Sequence, residues 1–244
     1  MLELCHLTRT VSSESGPMDI LKDVSLTIED KKFVVITGPN GGGKTTLAKV
    51  IMGLVPQTAG RIFWNGDDLT DLPIYERAKK GVSYAFQQPP RFKGMKVSDL
   101  LQIAAGKKLT HAETCDYLTK VGLCARDYVD RDVDASLSGG EVKRIEIATV
   151  LAKDGDLMIF DEPEAGIDLW SFARLTETFQ ELHDRQEKTI LIISHQERII
   201  RLADEIILVA DGQIQGRGPV DVMYPQLMAE TVSGCNRLEV DGKC

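Results

Sequence analysis

Short, continuously apolar runs alternate along this chain with stretches whose apolar residues recur every three or four positions, a pattern that predicts an α/β fold. Residues 2–7, 24–28 and Phe33–Thr37 read as short strands, with a polar stretch rich in Ser and Gly at 12–17 among them. A helical stretch follows at 47–52. Residues 61–64, just before Asn65-Gly66, read as a strand entering a hairpin turn, and 82–86 as another strand, stopped by Gln87-Gln88-Pro89-Pro90. Between 91 and 136 no strong strand is expected. Val97–Ala105 and 111–121 have helical patterning, punctuated by Gly106 and Gly122, and read as a helical insertion. Residues 142–152 read as a helix. Residues 157–160 and Thr189–Ile193 are apolar throughout and suit buried parallel strands. Between them Leu169, Phe172, Leu175, Phe179 and Leu182 form a helical stripe, read as core packing. Residues 205–209 and 213–215 flank Ala210-Asp211-Gly212, a hairpin. The expected organisation is a core from 1–90 and 137–228, a helical subdomain at 91–136 and a polar tail at 229–244, without internal repeats.

At 244 residues and 43% apolar, the chain can bury one substantial core. It contains no uninterrupted apolar run of the roughly 18 residues that a membrane span requires. Its start, Met1-Leu2-Glu3-Leu4-Cys5-His6, has neither a basic region nor an apolar run, so no secretory signal is expected and the localisation reads as cytoplasmic. The formal charge of −8 argues against broad electrostatic binding to nucleic acid. Cys5, Cys115, Cys124, Cys235 and Cys244 are odd in number and lack C-x-x-C spacing. They read as reduced thiols rather than as a disulfide framework or metal ligands.

The chemistry begins at Gly38-Pro39-Asn40-Gly41-Gly42-Gly43-Lys44-Thr45-Thr46, which fits G-x-x-x-x-G-K-[ST] between an apolar strand and a helix. Three consecutive glycines let several backbone amides turn toward one anion, and the helix adds its positive end. Lys44 can reach the β- and γ-phosphates, and the Thr45 hydroxyl can ligate Mg²⁺. A plain Gly-rich turn would not need the Lys-Thr pair, so the chain reads as binding a nucleoside triphosphate. The strand at 157–160 ends in Asp161 and Glu162. Asp161 can hold Mg²⁺ through water opposite Thr45, and Glu162 can orient or deprotonate an attacking water. Taken alone, the two carboxylates read equally well as solvated turn charges. Ser138, Gly139 and Gly140 open the helix before 142–152 and make a second anion site, which invites a nucleotide held by another subunit.

The order of these motifs, with Gln87, Gly166-Ile167-Asp168 and His195, resembles an ATP-binding-cassette (ABC) ATPase over residues 1 to about 225. The resemblance implies a P-loop NTPase of ABC type, with a RecA-like core, an antiparallel β subdomain and an inserted α-helical subdomain. It also implies that two copies close head to tail around two molecules of ATP with Mg²⁺. Ser138 and Gly140 of one copy then face the γ-phosphate bound by the other. Gln87 senses the metal and the attacking water, His195 contacts the γ-phosphate as a switch, and Asp168 couples the two sites. Gln87 could equally cap a turn, and Asp168 could equally cap the helix that follows it. Val11 is the expected adenine contact.

Within that family, the form Gly139-Gly140-Glu141-Val142-Lys143-Arg144-Ile145-Glu146-Ile147 is similar to SufC, the soluble ATPase of iron–sulfur cluster assembly. Glu76-Arg77-Ala78, Ala85-Phe86-Gln87-Gln88-Pro89 and His195-Gln196-Glu197-Arg198-Ile199 resemble the same group. That likeness implies a SufB- or SufD-like scaffold partner docking beside the Gln87 loop and the helical insertion. Pro163-Glu164-Ala165-Gly166-Ile167-Asp168 is instead the form common in transporters, so a membrane permease is the alternative partner.

Overall fold

The computed structural model describes residues 1–13, 16–92 and 94–229. Cys235, Cys244 and the rest of the tail expected after Ala229 lie outside these residues. Along the chain the strands are β1 (Leu2–Ser13), β2 (Gly16–Ile28), β3 (Phe33–Thr37), β4 (Ala59–Trp64), β5 (Asp67–Asp68), β6 (Val82–Ala85), β7 (Leu157–Asp161), β8 (Thr189–Ile193), β9 (Glu205–Ala210) and β10 (Gln213–Pro219). The helices are α1 (Lys44–Met52), α2 (Ile74–Lys79), α3 (Val97–Ala105), α4 (His111–Lys120), α5 (Ala125–Tyr128), α6 (Gly139–Lys153), α7 (Leu169–Arg185) and α8 (Glu197–Ile200). Residues 220–229 are also helical.

The strands form two sheets. One runs β10-β9-β3-β8-β7-β6, parallel except for β10, and the other is the antiparallel set β2-β1-β4-β5. Every residue of β3, β6, β7 and β8 is buried, as their largely apolar sequences suit strands covered on both faces. The two-residue period of a strand divides the core in two. Phe33, Val35, Met158, Phe160, Ile190 and Ile192 face α3, α6 and α7. Val34, Ile36, Leu157, Ile159, Leu191 and Ile193 face α1 and the antiparallel sheet. α3 and α4 pack against α6, so the helical stretch rests on the helix that opens with Ser138.

Both expected hairpin turns are present. Asn65 and Gly66 have φ of 52° and 83°, and Asp211 and Gly212 have 53° and 77°, the two consecutive left-handed residues that a tight hairpin demands. Elsewhere the structure departs from the pattern. β1 and β2 extend far beyond their apolar residues, and Ser13 pairs with Gly16. The polar residues Ser12, Ser13, Gly16 and Pro17 therefore belong to the far end of one long pair of strands. Apolar alternation marks only the part of that pair that packs on the core. Leu169, expected in the core stripe, is 65% exposed, whereas Phe172, Leu175 and Phe179 are buried. It is the first residue of α7, a turn before the helix meets the sheet. α2 and α8, unforeseen, are each too short to show a period.

Candidate functional site

The turn from β3 into α1 is built from backbone that only glycine can supply. Gly38, Gly41 and Gly43 have φ of 132°, 79° and 102°. A Cβ at Gly38 would sit 2.1 Å from the Val209 carbonyl oxygen, and one at Gly42 would sit 2.8 Å from the same atom. The loop is tied down on that side, where the Gly212 amide donates to the Gly42 carbonyl at 3.0 Å. Gly43 precedes α1 without any side-chain cap, so the first-turn amides are left for an anion. Buried Lys44 spans the loop from inside, its Nζ donating to the carbonyls of Gly38 at 2.7 Å and Pro39 at 2.9 Å. Burial pushes its pKa down, against the pull of Glu162 and Asp161.

A cavity of about 560 Å³ opens over this loop, and Thr45, Thr46, Gln87, Glu162 and His195 share its wall with Asn40, Gly41, Gly42 and Gly43. Gly38 and Pro39 lie on the wall of an adjoining groove that Asn40 and His195 also line. Ile20, not Val11, is the apolar residue at the rim of the first cavity. Register shifts along β1 and β2 decide which residue of the hairpin arrives there.

Opposite the loop, Oδ1 of Asp161 accepts from the Thr45 hydroxyl at 3.0 Å, and Oδ2 accepts from the Tyr84 hydroxyl at 2.9 Å. Burial raises the Asp161 carboxyl, while the Tyr84 and Thr45 hydrogen bonds and Lys143 oppose that rise. A hydroxyl and a carboxylate oxygen at this separation suit a small hard cation. Mg²⁺ therefore fits, with Thr45 and Asp161 as its protein side and the Gln87 amide on the same wall. Glu162 follows in the left-handed region, φ 46°, and its carboxylate accepts from Gln87 Nε2 at 2.7 Å. Partial desolvation and then Lys44 hold the His195 imidazole below its ordinary pKa, so it is neutral near pH 7 and can donate one ring N–H.

The second anion site lies elsewhere. Ser138 caps α6 with its side chain, and Glu141 completes the box, accepting from the Ser138 amide at 2.6 Å. Hydrogen bonds, first from the Tyr128 hydroxyl and then from Ser138, hold the Glu141 carboxyl down at about 2. Ser138 and Gly139 are exposed. A Cβ on Gly140 would meet the Gly166 carbonyl oxygen at 2.5 Å, so the Ser138-Gly139-Gly140 segment, hereafter the signature, and the loop before α7 are packed backbone to backbone. Ser138, Gly139 and Gly140 are not among the residues lining the cavity over Lys44. Asp168 caps α7, accepting from the amides of Trp170 at 3.1 Å and Ser171 at 3.0 Å. A single chain thus brings together the phosphate loop, Gln87, Asp161, Glu162 and His195, and leaves the signature and Asp168 facing outward.

Three contributors escaped the sequence. Tyr84 reads as an ordinary strand residue, yet it holds Asp161. Lys143 and Glu146 read as polar positions of a helix, yet Lys143 is 1% exposed and Glu146 accepts from the Phe86 amide at 2.9 Å.

A family model described as ABC transporter matches residues 21–165. An uncharacterized ABC transporter ATP-binding protein of Methanocaldococcus jannaschii is 38% identical to this chain, covering 93% of it and 94% of that protein. A sulfate/thiosulfate import ATP-binding protein of Mesorhizobium japonicum is 32% identical, covering 88% of this chain and 63% of that protein. A molybdate/tungstate import ATP-binding protein of Thermococcus kodakarensis is 32% identical, covering 87% of this chain and 64% of that protein. The chain thus spans a little under two thirds of the length of these two importer subunits. Among solved structures, a dimeric ATP-binding cassette in a post-hydrolysis state bound to ADP and Pi matches with a TM-score of 0.81 at 23% identity, over 90% of this chain and 99% of that one. A nucleotide-free ATP-binding cassette from an ABC transporter matches with a TM-score of 0.73 at 25% identity, over 90% and 91%.

Proposed function

Because the chain belongs to the ABC transporter ATPase family, we propose that it is the ATP-binding subunit of a membrane transporter, hydrolysing Mg-ATP in a head-to-tail dimer of two copies. ATP hydrolysis, with ATP and Mg²⁺ as its cofactors, belongs to the family as a whole. One observation carries the dimer: the cavity over Lys44 has a phosphate loop, a metal-binding pair and a carboxylate base, but its signature residues point away from it.

In this reading the loop amides and Lys44 bind the β- and γ-phosphates. Thr45 and Asp161 would hold Mg²⁺, which would supply positive charge against those phosphates. Glu162 accepts the proton of the attacking water, and Gln87, already bonded to that carboxylate, fixes the water's position. Neutral His195 donates to the γ-phosphate from the opposite wall. Ser138 and Gly140 of the second copy, with the α6 N-terminus behind them, close over the same phosphate. Closure draws on the difference in ATP affinity between open and closed dimers, and hydrolysis returns the open form.

For the partner, the importer names of the relatives at 32% identity favour a permease. The form of residues 139–147 is what supports a soluble iron–sulfur scaffold instead. Among the described residues no helix is long and apolar enough to cross a membrane, so a permease would be a separate chain or segment. Glu162→Gln should bind ATP and accumulate as a dimer on size exclusion while turnover falls by roughly 10²-fold or more. Turnover at the native rate would refute the assignment of the base. Affinity purification of that trapped dimer from its own cells should bring down a polytopic permease. Recovery of a SufB/SufD-like scaffold would select the other partner.

A further inference from the structure

α6 carries the signature at its N-terminus and, one turn further in, the buried pair Lys143 and Glu146. Burying an ammonium is costly unless it is well partnered. The partners of Lys143 are specific: its Nζ donates to the Phe86 carbonyl and, at 3.1 Å, to the Asp161 carbonyl. Those carbonyls belong to the peptide planes that enter Gln87 and Glu162, the two residues whose side chains meet at 2.7 Å in the cavity. Glu146 lies on the same face of the helix, 3.9 Å from Lys143 Nζ, and takes the Phe86 amide. Phe86 is therefore gripped at both its N–H and its C=O by one helix. Glu162 needs such support, because its φ of 46° is a conformation that a residue with a side chain adopts only where its surroundings impose it.

We propose that Lys143 and Glu146 are positioning residues that lock the Gln87–Glu162 pair to α6, so that the catalytic geometry of one site is set by the helix whose N-terminus serves the other. This rests on the assignment of Glu162 and Gln87 to the attacking water. A displacement of α6, such as docking of Ser138 on a partner's nucleotide would produce, moves the ammonium and with it both peptide planes. The two sites of a dimer would then be mechanically linked through this pair of side chains in each copy.

The test is a double-mutant cycle on ATP turnover with K143M and Q87A. K143M should lower kcat about 10- to 100-fold, the scale of an ångström-level misplacement, and leave KM for ATP within about threefold. If Lys143 acts through the pair, the loss in the double variant should be at least about threefold smaller than the product of the two single losses. Multiplicative losses in the double variant, or native kcat in K143M, overturn the proposal. Should K143M lose cooperative thermal unfolding, K143Q replaces it in the cycle. Glu162→Gln is run alongside. An active Glu162→Gln protein overturns the underlying assignment together with the proposal, whereas an inactive one beside a multiplicative cycle overturns the proposal alone.

Discussion

The Thr45 hydroxyl donates to Oδ1 of Asp161 across 3.0 Å, joining the first turn of α1 to the last residue of β7. Two elements 116 residues apart in sequence are thereby held close enough for one metal ion to touch both. Asp161→Asn keeps the shape and removes the charge. In calorimetric titrations without divalent cation, its ATP affinity should stay within about threefold of the native protein, since amides and Lys44 hold the phosphates. The gain in affinity on adding Mg²⁺ should disappear. A full Mg²⁺ effect in the variant would remove Asp161 from the metal site.

The outward-facing signature predicts complementation. Lys44→Ala disables the phosphate loop and Ser138→Arg blocks the signature, so each homodimer should be inactive. A mixture forms heterodimers with one site intact, composed of the loop from the Ser138→Arg chain and the signature from the Lys44→Ala chain. Mixing should restore a measurable fraction of ATPase activity; a mixture as inactive as its parts would mean that each chain completes its own site.

Glu146 gives a pH signature in stability. Burial raises its carboxyl to about 7, with the Phe86 amide and Lys143 opposing and Asp161 adding to the rise. The unfolded chain titrates near the ordinary value of about 4. Between those limits the folded state holds a proton that the unfolded state has released, so this group's contribution to stability falls as pH rises through the window. Glu146→Gln removes that dependence. The Tm of the variant minus that of the native protein should be more positive at pH 8 than at pH 5, and equal differences would contradict the buried-acid assignment.

Arg77 is a buried structural cation. Its guanidinium donates to the carbonyls of Val50 and Ile51 at 2.8 Å each, Leu72 at 2.9 Å and Thr70 at 3.0 Å, closing the C-terminal end of α1. Gly53 makes room for it, since a Cβ there would lie 2.8 Å from Nε. Arg77→Ala leaves those carbonyls without their donor and should cost about 3 kcal/mol, read as a lower urea midpoint at unchanged slope. An unchanged midpoint would show that water replaces the guanidinium without loss.

The phosphate loop could be read from sequence because its requirements are local: glycine where φ is positive, a lysine, and a helix beginning at once. Asp161 and Glu162 were legible for a similar reason, as carboxylates at the tip of an otherwise apolar strand. Tyr84 was not, since a tyrosine in a buried strand looks alike whether its hydroxyl is idle or holds a carboxylate. Lys143 and Glu146 were hidden because α6 is buried on several faces and shows no polar side on which charged residues would stand out. Ile20 at the cavity rim was not legible, because register shifts along the hairpin, rather than local hydrophobicity, set which residue arrives there.

The position of β3 governs when the molecule can first work. Its two neighbours in the sheet are β8 and β9, so the strand that launches the phosphate loop has no partner until residues 189–210 have been made. Loop closure over that distance is slow, and a growing chain emerges N-terminus first. A ribosome-bound chain that stops before β8 would carry the complete G-x-x-x-x-G-K-T segment and still have nothing to hold it in shape. Nucleotide capture is thus deferred until residues 189–210 have been made, when nearly all of the nucleotide-binding site's residues have already emerged.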